Sequence, residues 1–175
     1  KSVVALAGGV GGAKLALGFS YILGSEELTV VVNTADDDRF YGLHVSPDLD
    51  TVLYTLAGVS NAEMGWGLAG ESFRTLERLK EYGVDAWFNL GDLDLATHLY
   101  RTKMLDEGKT LSEVCQQLAK SLGVEHKILP VTDSSIKTVL ETQDGVMSFQ
   151  EYFVKNQCEP VVKSIDFEGS SNCTV

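Results

Sequence analysis

Positive charge is what this chain has least of. Its 175 residues hold 14 Lys and Arg against 25 Asp and Glu, a formal net charge of -11. That balance excludes nucleic acid or an anionic membrane surface as the main partner. An anionic small molecule is admitted only if backbone amides or a metal ion stand between its charge and the protein's. Cysteine is scarce too: Cys115, Cys158 and Cys173 are an odd, widely spaced set without a CxxC pair, which fits reduced thiols in a cytoplasmic protein. No apolar run reaches the roughly 20 residues of a membrane span. Internal repeats, low-complexity tracts and linkers are missing, so the length fits one domain over 1–175, or most of one. The start on Lys1 and the tail "EGSSNCTV" make the chain read as part of a longer one.

What is present is an alternation of strands and helices, with 44% hydrophobic residues to bury. "VVALA" (Val3 to Ala7) is a continuous apolar run, as in a strand covered on both faces. "GGVGG" (Gly8 to Gly12) breaks it. A helix follows with Leu15, Phe19 and Ile22 on one face and Gly24 as its cap. "LTVVVNT" (Leu28 to Thr34) is the next strand, so the first third predicts a right-handed βαβ unit. Further on, Ser46 and Pro47 start a helix, and another spans about Glu71 to Tyr82 with Phe73, Leu76 and Leu79 inward. "AWFNL" (Ala86 to Leu90) reads as a strand. "TLSE" (Thr110 to Glu113) is a capping box before a helix that buries Leu111, Val114, Cys115, Leu118 and Leu122 and ends at Gly123. "KILPV" (Lys127 to Val131) is a strand, and a hairpin turns at Asp144-Gly145. The expected architecture is α/β: a Rossmann-like parallel sheet with flanking helices, incomplete at its C-terminal end.

Three places carry chemistry. In "AGGVGGAKL", glycines let backbone N–H groups approach a phosphate, the helix N-terminus adds partial positive charge, and Lys14 could reach a terminal phosphate. The spacing matches neither the Walker nor the dinucleotide template, and a ligand-free glycine turn is the other reading. The second place is the run of five aspartates, Asp36, Asp37, Asp38, Asp48 and Asp50. The first three could be a solvated loop and the last two could serve a helix dipole. Gathered at the ligand-binding edge of a sheet, they would instead repel one another unless a cation such as magnesium bridged them to phosphates. The third is "NLGDLDLATHLYR", with Asp92 at the same edge and His98 and Arg101 sharing a helical face. His98 can equally be a buried, hydrogen-bonded structural residue. His44, His126, Trp66 and Trp87 read as ordinary loop or core residues. These signals point to a phosphate- or nucleotide-binding α/β domain using magnesium and select no reaction.

The pieces "ALAGGVGGAKLALG", "VVVNTADDD", "SPDLDTVLYTLAG", "MGWGLAGESF", "NLGDLDLATHLYRTKML", "ILPVTD" and "SFQEYFV", in that order, resemble the 2-phospho-L-lactate transferase family, CofD. "PDLDT" and "GDLDLATH" are the most specific. The resemblance covers nearly the whole chain, but family members are longer, so it implies an amino-terminal portion. It implies transfer of the 2-phospholactyl group from lactyl-2-diphospho-5'-guanosine, or of the phosphoenolpyruvyl group from its analogue, to the deazaflavin Fo. The products are F-420-0 (or dehydro-F-420-0) and GMP, in coenzyme F-420 biosynthesis with magnesium. Carried over by position, Gly8, Gly9, Gly11, Gly12 and Lys14 face donor phosphates. Asn33, Thr34, Asn89 and Asp92 belong to the substrate-binding set. Asp50 contacts Fo or metal and is the candidate catalytic residue, and Asp36 is a second metal ligand. Asn89 stands where the family often has a basic residue, a departure at a position tied to Fo. The implied partners are these small molecules, without nucleic acid or membrane, in a homo-oligomer. A rival is the related group of Rossmann-like regulators that bind nucleotide sugars; they continue with glycines and serines after a similar "ADD", whereas this chain continues "DRFYGLHVSPDLDT".

Overall fold

The computed structural model describes residues 2–173. A parallel sheet in the order β1-β2-β5 is built from Val3–Ala7 (β1), Leu28–Val32 (β2) and Lys127–Pro130 (β5). Val3 pairs with Leu28 and Ala7 with Val32, and Thr29 through Val32 pair onward with Lys127 through Pro130. The β-branched run of β2 suits the central, doubly paired position. Pro130 has no N–H to give and ends an outer strand, where none is needed.

Helix α1 (Gly9–Ser20) links β1 to β2, the expected βαβ unit. It begins inside the glycine run rather than after it, and it ends with Tyr21 as cap, short of Gly24. Ala13 and Ala16 face the core, whereas Leu15 and Ile22, expected inward, are exposed, and Phe19 packs at the core's edge. The cause is a close approach. A Cβ on Gly12 would stand 2.8 Å from the Ala7 Cα, so only the smallest residues fit where α1 lies on β1. Helix α2 (Pro47–Leu56) buries Leu49, Asp50, Thr51, Val52, Leu53 and Tyr54. A helix covered on so many sides is a core element, and α2 packs against α1, β2 and α5 (Leu111–Ser121). The capping box of α5 is formed by Thr110 and Glu113, and its predicted inward residues are covered.

Elsewhere the structure departs from the sequence reading. Asp38–Phe40 (β3) and Leu43–Val45 (β4) form a small antiparallel hairpin inside the aspartate-rich stretch. Its turn residues Tyr41 and Gly42 both have positive φ (54° and 82°), the conformation a two-residue turn of this hand requires. Helix α3 covers only Arg74–Glu81, and α4 covers Asp94–Asp106. "AWFNL" is not a strand. The Tyr41 hydroxyl donates to the Phe88 carbonyl (2.7 Å) and accepts from the Phe88 N–H (3.0 Å), so a side chain takes the place of a ladder neighbour. Phe88 also stacks on Phe40 at 3.8 Å between centroids, with Trp87 edge-on. The late hairpin joins β6 (Lys137–Thr142) to β7 (Gly145–Ser148), with Gly145 already paired to Thr142, so the turn falls on Gln143 and Asp144, one residue early. β8 (Val162–Glu168) pairs antiparallel on the other side of β6. Between β7 and β8 lies a π-helical turn, Glu151–Lys155.

The central sheet is covered on one face only, contrary to expectation. Ala5, Ala7, Val30, Val32 and Ile128 point into the core with α1, α2 and α5. The opposite face carries Val4 and Leu6, 64% and 76% exposed, and Val131 at its rim. All three cysteines are unpaired, and burial pushes the Cys115 thiol up to about 12. Among the described residues, no helix is long and apolar enough to cross a membrane.

Gly12→Ala tests the close approach of α1 to β1. A methyl group would collide with backbone, so we expect a loss of about 1–3 kcal/mol. Thermal unfolding should fall by several degrees. Gly11→Ala, where a Cβ meets nothing within 4 Å, is the comparison and should change the melting temperature little.

Candidate functional site

Beyond the carboxyl ends of β1 and β2, two adjoining cavities open. The larger, about 760 Å³, runs over the uncovered sheet face and is lined by Leu6, Val31 and Val131 below, Phe149 and Phe153 above, and Gly8, Gly9, Asn33, Asp36 and Asp48 at its polar end. The smaller, about 290 Å³, shares Gly9, Asp48, Phe149 and Phe153 and reaches Asp50, Tyr54, Trp66, Phe88, Asn89, Asp94 and His98. The parallel strands place this mouth, as open α/β sheets do with their ligands.

At the polar end, Gly9 has φ +58° and a Cβ on Gly8 would lie 3.3 Å from Asp48 Oδ2. Asp48 belongs to the first turn of α2, yet its carboxylate is aimed at the N-terminus of α1, where it receives the Gly9 N–H. Asn33 Nδ2 donates both to Asp48 Oδ2 (3.0 Å) and to Asp36 Oδ2 (2.8 Å), bridging two acids. Burial, and then the charges of Asp36 and Asp37, push the Asp48 carboxyl up, against the hydrogen bonds of Asn33 and Gly9. Of the two readings the sequence offers for Asp48, service to its own helix dipole and membership of the acidic cluster at the sheet edge, the contacts with Asn33 favour the second.

The inner cavity ends in a buried polar cage. Asp94, His98 and Arg101 recur on one face of α4, and Asp50 and Tyr54 on one face of α2; all five are buried. Arg101 grips Asp50 with both ends of its fork: Nη2 donates to Oδ1 at short range and Nη1 to Oδ2 at 3.1 Å. Nη1 also reaches His98 Nδ1 (3.2 Å) and the His44 carbonyl (3.4 Å). A guanidinium only donates, so His98 Nδ1 accepts and the ring proton sits on Nε2. Nε2 lies 3.2 Å from Asp94 Oδ2, an ion-pair distance, but out of line for a hydrogen bond. The Tyr54 hydroxyl donates to Asp94 Oδ1 at 2.5 Å. Burial would raise the Asp94 carboxyl, but His98, Tyr54 and Arg101 outweigh it and hold it low; burial and the two acids push the Tyr54 hydroxyl far up. Asp50, Asp94 and His98 each offer a donor atom, all within 4.8 Å of one another.

The sequence-derived candidates divide accordingly. Gly8, Gly9, Asn33 and Asp36 meet in the groove, and Asp50 and Asn89 line the inner cavity. Gly11, Gly12 and Lys14 line neither: Gly12 packs on β1, and Lys14 is exposed on α1. Thr34 and Asp37 turn away to a third cavity of about 360 Å³ beside α5. There, among the described residues, Thr34 Oγ1 has no hydrogen-bond partner. Asp37 is held by His44 (3.1 Å) and Ser46 (2.7 Å). Asp92 is half-buried and accepts from Ser72 Oγ (2.5 Å) and from the N–H groups of Arg74 (3.2 Å) and Thr75 (3.0 Å), so it caps α3. Trp66, read as core, forms part of the cavity wall instead. Tyr54 and Glu71 were missed. Glu71 accepts from the N–H groups of Leu93 and Asp94, and Gly91 leaves it room. The spacing of Asp94, His98 and Arg101 could have revealed the cage; nothing local marks Glu71.

Those donated hydrogen bonds, chiefly from Ser72 and Thr75, pull the Asp92 carboxyl from 3.8 to about 2. A carboxyl lowered on folding contributes stability above its unfolded value and loses it as pH falls. Asp92→Asn should therefore flatten the acid limb of stability between about pH 4 and 2 and leave the slope at neutral pH unchanged. Thermal melts across that range check it; an unchanged acid limb contradicts the capping role.

The family model described as 2-phospho-L-lactate transferase CofD matches residues 3–174. Relatives include a protein named 2-phospho-L-lactate transferase from Methanosarcina mazei, 39% identical over 173 residues, covering 99% of this chain and 57% of that protein. Its namesake from Methanosarcina acetivorans is 42% identical over 173 residues, covering 99% and 56%. A protein named phosphoenolpyruvate transferase from Kitasatospora aureofaciens is 45% identical over 159 residues, covering 87% and 50%. The chain thus spans about half the length of the curated relatives it matches. A solved structure of a UPF0052 family member from Bacillus halodurans superposes with a TM-score of 0.58 at 20% identity, over 97% of this chain and 52% of that one. That likeness speaks for the fold alone. With the family model matched over almost its whole length, the chain belongs to the CofD 2-phospho-L-lactate transferase family.

Proposed function

We propose that this chain forms the amino-terminal catalytic portion of a transferase that moves a 2-phospholactyl or phosphoenolpyruvyl group from a guanosine diphosphate-linked donor to the deazaflavin Fo, in coenzyme F-420 biosynthesis. The observation that carries this reading is the joining of an acid-edged groove to an aromatic-walled cavity that ends at Asp50, in a chain of this family. In the reading, the donor's diphosphate lies at the polar end of the groove, near Gly8, Gly9 and Asn33. The acceptor's ring enters between Trp66, Phe88 and Phe149, flat surfaces suited to a flat heterocycle. Asn89 stands exposed at that cavity's edge.

A transfer of this kind is chiefly positioning and charge neutralisation. With Arg101 on both its oxygens, Asp50 still keeps a second lone pair on each. It therefore orients the acceptor hydroxyl by accepting its hydrogen bond. Tyr54 and Arg101 hold the remaining cage groups still. Asp48, across the α1 N-terminus, opposes a bare phosphate there, so we assign the charge balance to a divalent cation, magnesium, with Asp36 on the groove side and Asp50 as its carboxylates. Carboxylate oxygens suit such a hard ion; when bound, it would neutralise phosphate charge. Lys14, Thr34, Gly11, Gly12 and Asp92 have weaker places in this scheme, since none lines either cavity. We place the protein in the cytoplasm, as a homo-oligomer.

The test is to incubate the full-length protein with Fo, magnesium and each donor and to follow products by mass spectrometry. F-420-0 or its dehydro form with GMP is expected; stabilisation by a UDP-sugar with no product would favour the nucleotide-sugar regulator instead. Asp50→Asn should lower turnover by about 10²–10³-fold. It should also cost about 3–5 kcal/mol by breaking a buried pair, so turnover is compared below the melting transition of both proteins. Near-normal turnover in folded Asp50→Asn overturns the role of Asp50. Calorimetry should show guanosine diphosphate binding more tightly with magnesium than with EDTA; equal affinity removes the cation.

A further inference from the structure

The buried cage assembles donors of two kinds. Asp50 and Asp94 offer carboxylate oxygen and His98 offers imidazole nitrogen, all within 4.8 Å. Oxygen ligands suit magnesium, calcium and manganese; an imidazole added to them suits zinc, cobalt, nickel and copper. Left alone, such a trio would prefer the second group, because affinity for mixed nitrogen and oxygen sites rises toward those metals. The trio is not left alone. Arg101, 1% exposed, occupies the same cage. It takes one lone pair from each oxygen of Asp50 and, at 3.2 Å, the lone pair of His98 Nδ1. The other ring nitrogen carries the proton and stands 3.2 Å from Asp94. The imidazole therefore has no electron pair to give a metal, whereas each carboxylate oxygen keeps one or more.

We propose that Arg101 determines the cage's choice of cation: by occupying His98 Nδ1 it removes the imidazole from the ligand set and leaves a site built from oxygen alone. Three further observations support it. An arginine cannot be deprotonated within a protein, so the block is permanent. The bidentate grip on Asp50 and the contact with the His44 carbonyl hold the guanidinium from two other elements, so it cannot swing aside freely. The same fork keeps the Asp50 carboxylate from rotating, which makes Arg101 a positioning residue for Asp50 as well. The inference rests on cage geometry and stands apart from the transferase reading.

Arg101→Met removes the donor and the charge while keeping length. We expect this variant to bind Co²⁺ or Zn²⁺ more tightly by about 10–100-fold, the range over which groups behind metal ligands act. Its Co²⁺ complex should show the visible absorption of a nitrogen-bound, low-coordinate ion, and the wild-type chain should not. Adding His98→Ala should abolish both gains. The unpaired Asp50 threatens folding in Arg101→Met, so Arg101→Gln, which can still donate to Asp50, and the pair Arg101→Met with Asp50→Asn are made beside it; either, when folded, should still gain His98-dependent Co²⁺ binding. Melting curves should show Co²⁺ stabilising the variants and not the wild type. Equal Co²⁺ affinity in wild type and folded variants, or a gain that survives His98→Ala, overturns the proposal. Product formation enters none of these measurements, so a failed transferase reading and a failed cage are told apart.

Discussion

The pair between Arg101 and Asp50 is the contact on which the rest of this structure turns. A guanidinium taken out of water costs several kcal/mol unless its geometry is well matched by acceptors. Here the acceptors come from three directions: α2 gives Asp50, α4 gives His98, and the β3-β4 hairpin gives the His44 carbonyl. The same hairpin is tied a second time, where the His44 N–H donates to Thr102 on α4 at 2.8 Å. From His44 the network continues to Asp37 and Ser46, and from His98 to Asp94 and Tyr54. In a chain of buried polar groups this long, each further lost link leaves a desolvated group, so the links that are made restrain the packing. That requirement fixes how α4 lies against α2, and with it the shape of the inner cavity.

The outer groove obeys a different constraint. The N-terminus of α1 has the glycines and the free N–H groups that favour an anion, yet an anion belonging to the protein, Asp48, already stands there. Asn33 holds it in place and joins it to Asp36. Two carboxylates sharing one amide at the end of a helix would repel an incoming phosphate unless a positive charge came with it. The aspartates that looked like an uneconomical crowd in the sequence thus fall into three groups with different duties: Asp36 and Asp48 in the groove, Asp50 in the cage, and Asp37 and Asp38 around the hairpin, where Asp38 pairs with Lys137 at 2.9 Å.

Local signals carried much of this and failed where a contact was distant in sequence. The strand, glycine run, helix and strand of the first third follow from period and punctuation. So do the start of α2 at Pro47 and the capping box of α5, each read within a few residues. The inward face of α1 was misread because large apolar residues were taken as the buried ones, whereas the sheet admits only Gly12, Ala13 and Ala16. "AWFNL" has the composition of a strand, but its amide and carbonyl are met by a tyrosine hydroxyl 47 residues away. Asp92 was drawn toward the site by its motif, while its carboxylate caps α3. The grip of Arg101 on Asp50 spans 51 residues, and no window along the chain contains both.

The two constraints meet on the uncovered face of the sheet. Parallel sheets are normally buried on both sides, and here Val4 and Leu6 face outward. The groove lies over that same face: Leu6, Val31 and Val131 form its floor, and Phe149 and Phe153, stacked at 5.4 Å, form its wall. The two phenylalanines also line the inner cavity. Any polypeptide that covers the sheet must therefore lean on the wall that separates the two cavities. Covering the apolar face would therefore also complete the groove, whose floor holds Leu6 and Val131 and whose wall holds Phe149 and Phe153. An acid cage rigidly held by Arg101 suits such an arrangement, because it keeps its own shape while the apolar side of the site is completed around it.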